Sequence, residues 1–402
     1  MTKKILALVM AMAMILVLLT GCGSTTTSDG ADASAAADTE YAVAMITDSG
    51  DITDQSFNQT TYEASKAFCE ENDLDFNYYK PTEDSTDARV ASVELAIDDG
   101  YNVIVMPGYL FAGTIVEVAE EYPDVKFIAL DCSKGDLLEA AVGEDYDYNP
   151  DNWDLEDYID LSNVYCAIYQ EELSGYMAGY AAVKLGYTGL GFMGGMAVPA
   201  VMRYGYGFIQ GANAAAAETD ADVTIQYRYS GTFGCGNSEV VAACDTMYAN
   251  GAEVIFACGG SVYKDVCESA EKNDGYVIGV DSDQADSIAA DYPGLEGKVI
   301  TSAMKGLAPT VQDTLDDVIN NGNWDDYSAK IDTLGMENAD DPTANYCQIA
   351  PSTQYNEDFT EDDYAELVAA IVNGDLEVSN DISGDAEDMG PDITVETAAD
   401  VL

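Results

Sequence analysis

The sequence predicts an α/β protein built from two similar lobes that face each other across a cleft. From Tyr41 onward, short apolar runs of β-type residues alternate with amphipathic stretches of helical length. Such alternation is typical of parallel sheets with helices on both faces. It is interrupted once, by an acidic and aromatic segment between Asp131 and Asn163, and a second series starts at Val164. A chain of 402 residues is also longer than one ordinary domain core uses.

The elements follow from these patterns in chain order. Strands are predicted at the apolar runs 41–47, 101–107, 125–131, 162–168, 188–193, 222–229, 252–257, 275–280 and 297–303. Helices are predicted between most of them, at 57–71, 86–99, 111–121, 172–185, 199–217, 238–250 and 261–272. Residues 326–351 look like strands and turns, 358–372 like a terminal helix, and the stretch from 379 like a partly ordered acidic tail.

Polar and glycine-rich segments follow several of the predicted strands. In open α/β sheets the ligand lies beyond the carboxyl ends of the strands. The segments at such ends are "TDSGDITDQSFN", "PGYL", "GTFGCGNS", "CGGS" and "VDSDQ". A binding site between the two lobes is therefore expected to be built from these segments.

Charge and composition exclude several classes of function. The chain has 15 basic and 74 acidic residues, a net charge of −59, which argues against nucleic acid as a partner because phosphates must be neutralised by Lys and Arg. We interpret most of the carboxylates as a solvated surface. The sequence contains no histidine, so Ser-His-Asp and Cys-His nucleophile pairs and histidine-ligated metals are excluded. Catalysis by paired carboxylates stays open.

The N-terminus resembles that of an exported bacterial lipoprotein. A basic pair at 3–4 is followed by an almost uniformly apolar run at 5–19 and by "LTGC" at 19–22, the build of a secretory signal peptide. A cysteine in this setting resembles the lipobox, which implies cleavage after residue 21, acyl chains on Cys22 and anchoring at the extracytoplasmic face of the cell membrane. Residues 22–40 are read as a flexible tether. A plain secreted protein is the alternative.

Six segments in register resemble one known family. They are "DQSFNQ" at 54–59, "PDVKFIALD" at 123–131, "YQEELSGYMAGYAA" at 169–182, "GFMGGMAVPAVMRYGYGFIQGA" at 191–212, "VIGVDSDQ" at 277–284 and "TSAMKG" at 301–306. The chain is similar to the basic membrane protein family of substrate-binding lipoproteins for ABC importers, which includes the purine nucleoside receptors. The resemblance covers roughly residues 41–375.

The resemblance implies a type I periplasmic-binding fold, in which several crossover strands join two doubly wound lobes around a cleft. Lobe one is expected at 41–166 plus about 297–325, and lobe two at 167–283 plus about 326–375. Residues 376–402 are expected to be an acidic tail. The implied partners are a nucleoside and a membrane-embedded ABC permease. A monomer without enzyme activity or cofactor is expected.

The opening stretch "TDSGDITDQSFNQ" carries three candidate site residues. Ser56-x-x-Gln59 is a capping-box pattern, which explains part of the polarity but not the aromatic residue. By resemblance, Phe57 stacks on the base, Asn58 hydrogen-bonds to it, and Asp48 reads a base edge by accepting from ring N–H or amino groups. The alternatives are a hydrophobic staple for Phe57 and a turn or cap for Asp48.

Four further candidates come from the second series of strands. By resemblance, Phe233 in "SGTFG" covers the other face of the base, although "GCG" follows it here in place of an Asn/Asp-rich turn. Asp281 is expected to accept both ribose hydroxyls and Lys305 to donate to sugar or base; a helix cap and a structural ion pair are the alternatives. Gly259 allows close approach of backbone to a ligand.

Two acidic segments raise the question of a metal. Asp48, Asp51 and Asp54 have no regular calcium spacing, and residues 145–156 match an EF-hand loop at several positions but place Pro150 where a glycine makes the sharp turn. We expect no metal site, although calcium at 145–156 stays open.

Three other functions remain possible at this stage. They are the same scaffold binding a sugar or another polar solute, a surface receptor, and a carboxylate-based nucleoside hydrolase.

Overall fold

The first of two sheets is wholly parallel and has the strand order β11-β5-β4-β3-β1-β2. The structure, a computed structural model, describes residues 41–402. The strands of this sheet are β1 Ala42–Ile46, β2 Asp75–Tyr79, β3 Val103–Pro107, β4 Lys126–Leu130, β5 Val164–Tyr169 and β11 Lys330–Leu334. The central strands read as apolar runs because helices cover both faces of a parallel sheet.

The second sheet has the order β12-β10-β9-β8-β6-β7-β13, and only the pair of β10 with β12 is antiparallel. Its strands are β6 Gly189–Gly194, β7 Thr224–Tyr229, β8 Val254–Cys258, β9 Tyr276–Asp281, β10 Val299–Lys305, β12 Cys347–Ile349 and β13 Thr394–Thr397. Each sheet, with its helices, forms one lobe, and the two-lobe prediction is confirmed.

Helices flank both sheets. They are α1 Phe57–Glu71, α2 Thr86–Asp98, α3 Ala112–Val118, α4 Lys134–Val142, α5 Glu171–Lys184, α6 Pro199–Thr219, α7 Ser238–Ala249, α8 Tyr263–Asn273, α9 Ala285–Asp291, α10 Leu307–Leu315 and α11 Glu361–Val372. No helix within residues 41–402 has both the length and the apolar character needed to cross a membrane.

Glycines let α5 and α6 pack in direct backbone contact. A Cβ on Gly179 would lie 2.0 Å from the carbonyl oxygen of Phe208, and one on Gly211 would lie 1.9 Å from that of Tyr176. Gly175 and Gly207 make equally close contacts with the facing helix, so a side chain at any of these four glycines would push the helices apart.

The chain crosses between the sheets after β5, after β10 and after β11. The predicted lobe boundaries are therefore wrong in two places. Residues 299–305 were assigned to lobe one but form β10 beside β9, and residues 330–334 were assigned to lobe two but form β11 beside β5. Hydrophobic periodicity identifies a strand without indicating which sheet it joins. Between them, Leu307 and Val311 of α10 pack into the core of lobe one.

Residues 376–402 are also more ordered than the predicted tail. They include β13 at the edge of the second sheet, and Ile393 and Val395 pack against the core of lobe two. Cys22, the predicted signal peptide and the predicted tether lie outside the described residues.

Candidate functional site

A cavity of about 600 Å³ lies between the lobes, at the carboxyl ends of strands from both sheets. The seven residues that the sequence singled out for ligand binding all line it: Asp48, Phe57, Asn58, Phe233, Gly259, Asp281 and Lys305. Two separate sheets thereby bring residues up to 257 positions apart in the sequence to one cleft.

The lobe-one wall is organised by the carboxylate of Asp54. It accepts hydrogen bonds from the backbone N–H groups of Ser56, Asn58 and Gln59, each at 3.0 Å, and from Nδ2 of Asn58 at 3.0 Å. Asn58 is 3 % exposed, and its Nδ2 also donates to Oδ1 of Asp48 at 2.9 Å. Burial raises the pKa of Asp48, although bonds from Gly50 and Asn58 oppose the shift.

Asp54, and not Ser56, therefore satisfies the first N–H groups of α1. The Ser56 side chain makes no capping bond, so the predicted capping box is wrong. Its hydroxyl instead donates a short hydrogen bond to Oδ2 of Asp281 in the other lobe. An acidic residue two positions before the expected cap has taken over the role, which the capping-box pattern does not anticipate.

The segment before α1 also touches lobe two through Gln55. Its backbone carbonyl accepts from Nε2 of Gln284 at 2.8 Å and from the hydroxyl of Ser282 at 3.2 Å. Gln55 has a positive φ of 53°, a strained value for a residue other than glycine. The structure is therefore a closed form in which the lobes bond directly to one another.

Lys305 joins the lobes at the floor of the cavity. Its Nζ donates to Oδ2 of Asp131 in lobe one at 2.7 Å and lies 3.1 Å from Oε1 of Glu171. The same ammonium lies 5.1 Å from the ring centroid of Phe57 and 5.6 Å from that of Tyr204, within cation–π range. The ion-pair alternative for Lys305 is thus realised in this closed form, while the ammonium still faces the cavity.

Charges around Lys305 form a buried network that sequence reasoning missed. Burial raises the pKa of Asp131 to about 6 despite the ammonium beside it. Burial alone would also raise the pKa of Glu171, but Arg203 and Lys305 outweigh it and lower that pKa. Nε of Arg203 donates to Oε2 of Glu171 at 2.6 Å. Asp131, Arg203 and Tyr204 line the cavity as well.

Asp131 in lobe one has a structural counterpart in lobe two, Asp281. Asp131 directly follows β4 and Asp281 ends β9, and both have a positive φ, 61° and 64°. β4 and β9 occupy equivalent places in the two sheets. Comparing the two alternating series position by position would have identified Asp131 from its partner.

Asp281 and Phe233 form the lobe-two wall. Asp281 is 6 % exposed, and burial raises its pKa although Lys305 and Ser56 oppose the shift. The ring of Phe233 lies on Gly195 and Gly259; a Cβ on Gly259 would lie 2.9 Å from Cε1 of that ring. Gly259 has a φ of 129°, a value that favours glycine. It contacts the ring of Phe233 and also lines the cavity.

The acids that raised the question of a metal have other partners. Asp51 pairs with Lys80 at 2.6 Å, and Asp54 caps α1. In the loop 145–156, the Asp147 carboxylate accepts from Nδ2 of Asn152 and Nε1 of Trp153, both at 2.7 Å. Within residues 41–402 no group of three His, Cys, Asp or Glu side chains is arranged to hold a metal ion.

Two α/β lobes closing on a polar and aromatic cleft define the type I periplasmic-binding fold. Known proteins with this fold agree: an ABC transporter solute-binding protein from Aeropyrum pernix superposes with a TM-score of 0.61, at 18% identity, over 87% of this chain and 90% of its own. A transcriptional activator of the comK gene from Bacillus halodurans superposes equally well, with a TM-score of 0.61 at 14% identity over 83% of this chain and 99% of its own. These likenesses show the fold alone.

The family is defined by sequence. A family model described as ABC transporter substrate-binding protein PnrA-like matches residues 41–352, and the chain belongs to this family, which confirms the predicted resemblance. The ABC transporter nucleoside-binding protein BmpA of Lactococcus lactis is 26% identical over 326 residues, covering 75% of this chain and 83% of that protein. Basic membrane protein B of Borreliella burgdorferi is 26% identical over 302 residues, 73% of this chain and 78% of that protein.

Proposed function

We propose that this protein captures a nucleoside, with preference for purines, and delivers it to the permease of an ABC importer. The observation that carries the proposal is the pair of aromatic side chains, Phe57 and Phe233, on opposite walls of one cavity that also holds buried carboxylates. Aromatic faces on both sides suit a planar base. The nucleoside-binding relative in Lactococcus lactis supports the same ligand class.

Each wall has a role in this proposal. Phe57 and Phe233 sandwich the base, and Asn58 and Asp48 hydrogen-bond to its edge. Asp281 accepts the ribose hydroxyls, since one carboxylate can accept from two neighbouring donors. Lys305 donates to the sugar or the base, and Gly259 lets the ligand approach the backbone closely. No bond is broken, and closure of the lobes over the solute is the whole of the binding event.

A thermal-shift screen of nucleosides, free bases, sugars and nucleoside 5′-monophosphates tests the ligand class. Purine nucleosides are expected to raise the melting temperature most, because ligand binding to the native state alone stabilises it. Monophosphates are expected to bind more weakly, since Lys305 and Arg203 already pair with buried carboxylates. A response to sugars and none to nucleosides would replace the proposal with that of a sugar-binding protein.

Phe57→Ala tests the site itself. We expect it to weaken nucleoside binding by about 1–3 kcal/mol, measured by calorimetry, because one stacking face is lost. Phe76→Ala is the matched control: this half-buried ring lies in β2 and contacts Tyr62 away from the cavity. Unchanged nucleoside affinity in Phe57→Ala would contradict the assigned site.

We further propose that the protein is a monomer held at the extracytoplasmic face of the membrane by acyl chains on Cys22. An uncharacterized lipoprotein of Pyrococcus abyssi, 23% identical over 341 residues, 81% of this chain and 76% of that protein, supports such an anchor. Cys22→Ala is expected to move the protein from the membrane fraction to the soluble fraction. Retention of the variant in the membrane fraction would contradict lipid anchoring through this residue.

A further inference from the structure

The last nine residues, 394–402, form a strap along the outer edge of lobe two. The strand β13 within it runs parallel to β7 in the register Thr394 to Thr224 through Thr397 to Tyr227. The strap lies outside residues 41–352, which the family model matches. It turns β7 from an edge strand into an interior strand of the sheet.

Beyond β13 the strap continues along β7 toward the cleft. Backbone N–H groups of Ala398, Val401 and Leu402 donate to the carbonyl oxygens of Tyr227, Tyr229 and Ser230, at 3.0, 3.0 and 3.1 Å. A guanidinium N–H of Arg228 donates to the carbonyl oxygen of Ala399 at 2.7 Å. Hydrogen bonding by the strap therefore extends past the end of β7.

The strap ends its contacts at the loop that carries Phe233. We define the Phe233 loop as residues 230–236. Gly231 has a φ of 85°, and a Cβ built on it would lie 2.9 Å from the carbonyl oxygen of Leu402. The Ser230 hydroxyl donates to the carbonyl oxygens of Thr232 at 2.7 Å and Gly195 at 3.1 Å. Gly231, two residues before Phe233, is thus held on one side by Leu402 and on the other by the hydrogen bonds of Ser230.

At its far end the Phe233 loop is tied by the buried carboxylate of Asp265, which accepts from the N–H of Gly236 at 2.7 Å. Between this tie and the strap the loop is rich in glycine. Gly234 and Gly236 flank an exposed Cys235, and three of the seven loop residues are glycine, a composition that leaves backbone free to move. The carbonyl oxygen of Phe233 accepts from the N–H of Ser261 at 2.9 Å. Strands at a sheet edge open more readily than interior strands, so a loop leaving an edge strand would inherit that mobility.

We propose that the strap positions the Phe233 loop and thereby sets the affinity of the cleft for its ligand. The inference rests on the proposed function, because Phe233 matters for affinity only if it contacts the ligand. The strap itself touches no ligand; residues 394–402 act through β7 and the backbone of the loop.

Removal of residues 398–402 tests the proposal. This truncation keeps residues 394–397 of β13 but removes the strap's bonds to Tyr229 and Ser230, together with those of Ala398 to Tyr227 and of Arg228 to Ala399. The dissociation constant for the nucleoside found in the screen is expected to rise roughly fivefold or more. Arg228→Met, which removes the contact with Ala399, is expected to act in the same direction. Tyr206→Phe is the matched control: its hydroxyl donates to the carbonyl oxygen of Gly384, away from the loop, and affinity should not change.

A double-mutant cycle with Phe233→Ala separates positioning from general loss of structure. If the strap acts through Phe233, the truncation will lower affinity in the wild-type background and have little further effect in the Phe233→Ala background. Equal losses in both backgrounds would overturn the proposal, because the strap would then act on the cleft by another route.

Amide hydrogen exchange on the ligand-free protein gives a readout that does not depend on any ligand. The N–H of Gly231 donates to the carbonyl oxygen of Gly195 at 2.9 Å, and its exchange is expected to become about tenfold faster in the truncated protein while amides of α1 stay unchanged. Unchanged exchange at residues 230–233 would overturn the proposal. Faster exchange in a protein that binds no nucleoside would instead overturn the proposed function and leave the positioning role of the strap standing.

Discussion

The two walls of the cleft are held in place in different ways. On the lobe-one wall, Asp48 and Asn58 are fixed by bonds within one segment, in which Nδ2 of Asn58 donates to the carboxylates of both Asp48 and Asp54. On the lobe-two wall, Asp281 and Lys305 take partners from the opposite lobe, Ser56 and Asp131.

This difference indicates which wall depends on closure. The lobe-one side chains keep their hydrogen bonds when the lobes separate, so this wall is preformed for a ligand. Separation of the lobes would remove Ser56 from Asp281 and Asp131 from Lys305, whereas Glu171 lies in the same lobe as Lys305 and would stay beside it. Bonds between the lobes therefore favour the closed state even before a ligand adds its own contacts.

The largest expected effect comes from Lys305→Met. Asp131 and Glu171 would remain buried beside an apolar side chain, and breaking a buried ion pair by removing one partner costs about 3–5 kcal/mol. We expect a loss of this size in the free energy of unfolding, measured by urea denaturation. Glu171 keeps Arg203 as a partner, so the uncompensated charge falls mainly on Asp131.

Lys298→Met is the control for this change. Lys298 pairs with Asp274, whose side chain is 95% exposed, and such a surface pair contributes about 1 kcal/mol or less. If Lys305→Met lost no more stability than Lys298→Met, the closed lobe-two wall would not depend on its ion pair across the cleft.

Asp54→Ala is the corresponding change on the lobe-one wall. It removes the acceptor for three backbone N–H groups at the start of α1, and we expect a loss of about 2 kcal/mol in the free energy of unfolding. Nucleoside affinity should fall too, because Asn58 loses one of the two carboxylates that orient its amide. Asp51→Ala is the control for stability alone, since Asp51 is exposed and bonds to Lys80 and Thr53 at the mouth of the cavity. An effect no larger than that of Asp51→Ala would mean that the wall is ordered by something other than Asp54.

The fold could be predicted largely from sequence because its signal is local. Strand runs and helix-length amphipathic stretches repeat often enough to indicate two α/β series. The partition of β10 and β11 between the sheets could not be predicted, since it depends on which strands pair in space. The same holds for β13: its alternation is weak, and an acidic composition hid a strand that pairs with β7.

The candidate site likewise contains residues that local patterns predict and residues whose roles depend on tertiary structure. Phe57 begins α1, Asp281 ends β9 and Lys305 ends β10, and all three were identified by their motifs. Asp131 ends the motif "PDVKFIALD" at 123–131, but it reaches the cavity only because β4 and β9 are equivalent strands of opposed sheets. The cap of α1 was assigned to the wrong residue because Ser56 bonds across the cleft to a residue 225 positions away, which no local pattern encodes.

The smallest effect we expect concerns Glu172, at the start of α5 where the chain enters lobe two. This side chain is 2 % exposed, its Oε2 has no hydrogen-bond partner, and Arg203 lies 4.0 Å away. Burial raises the pKa of Glu172 to about 7. A carboxyl whose pKa is raised in the folded state favours folding most at low pH, and this contribution is lost as the pH rises through about 7.

Glu172→Gln is therefore expected to stabilise the protein at alkaline pH. At about pH 8 the free energy of unfolding should exceed that of the wild type by roughly 1 kcal/mol, and the difference should shrink toward about pH 5, where the wild-type carboxyl is protonated. Glu171→Gln should do the opposite, because its lowered pKa reflects ion pairs with Arg203 and Lys305 that stabilise the folded state above its pKa. Denaturation of both variants across this pH range separates the two neighbours. If Glu172→Gln shifted the free energy of unfolding equally at both pH values, Glu172 would not titrate between them. The raised pKa of this buried carboxyl at the start of α5 would then be contradicted.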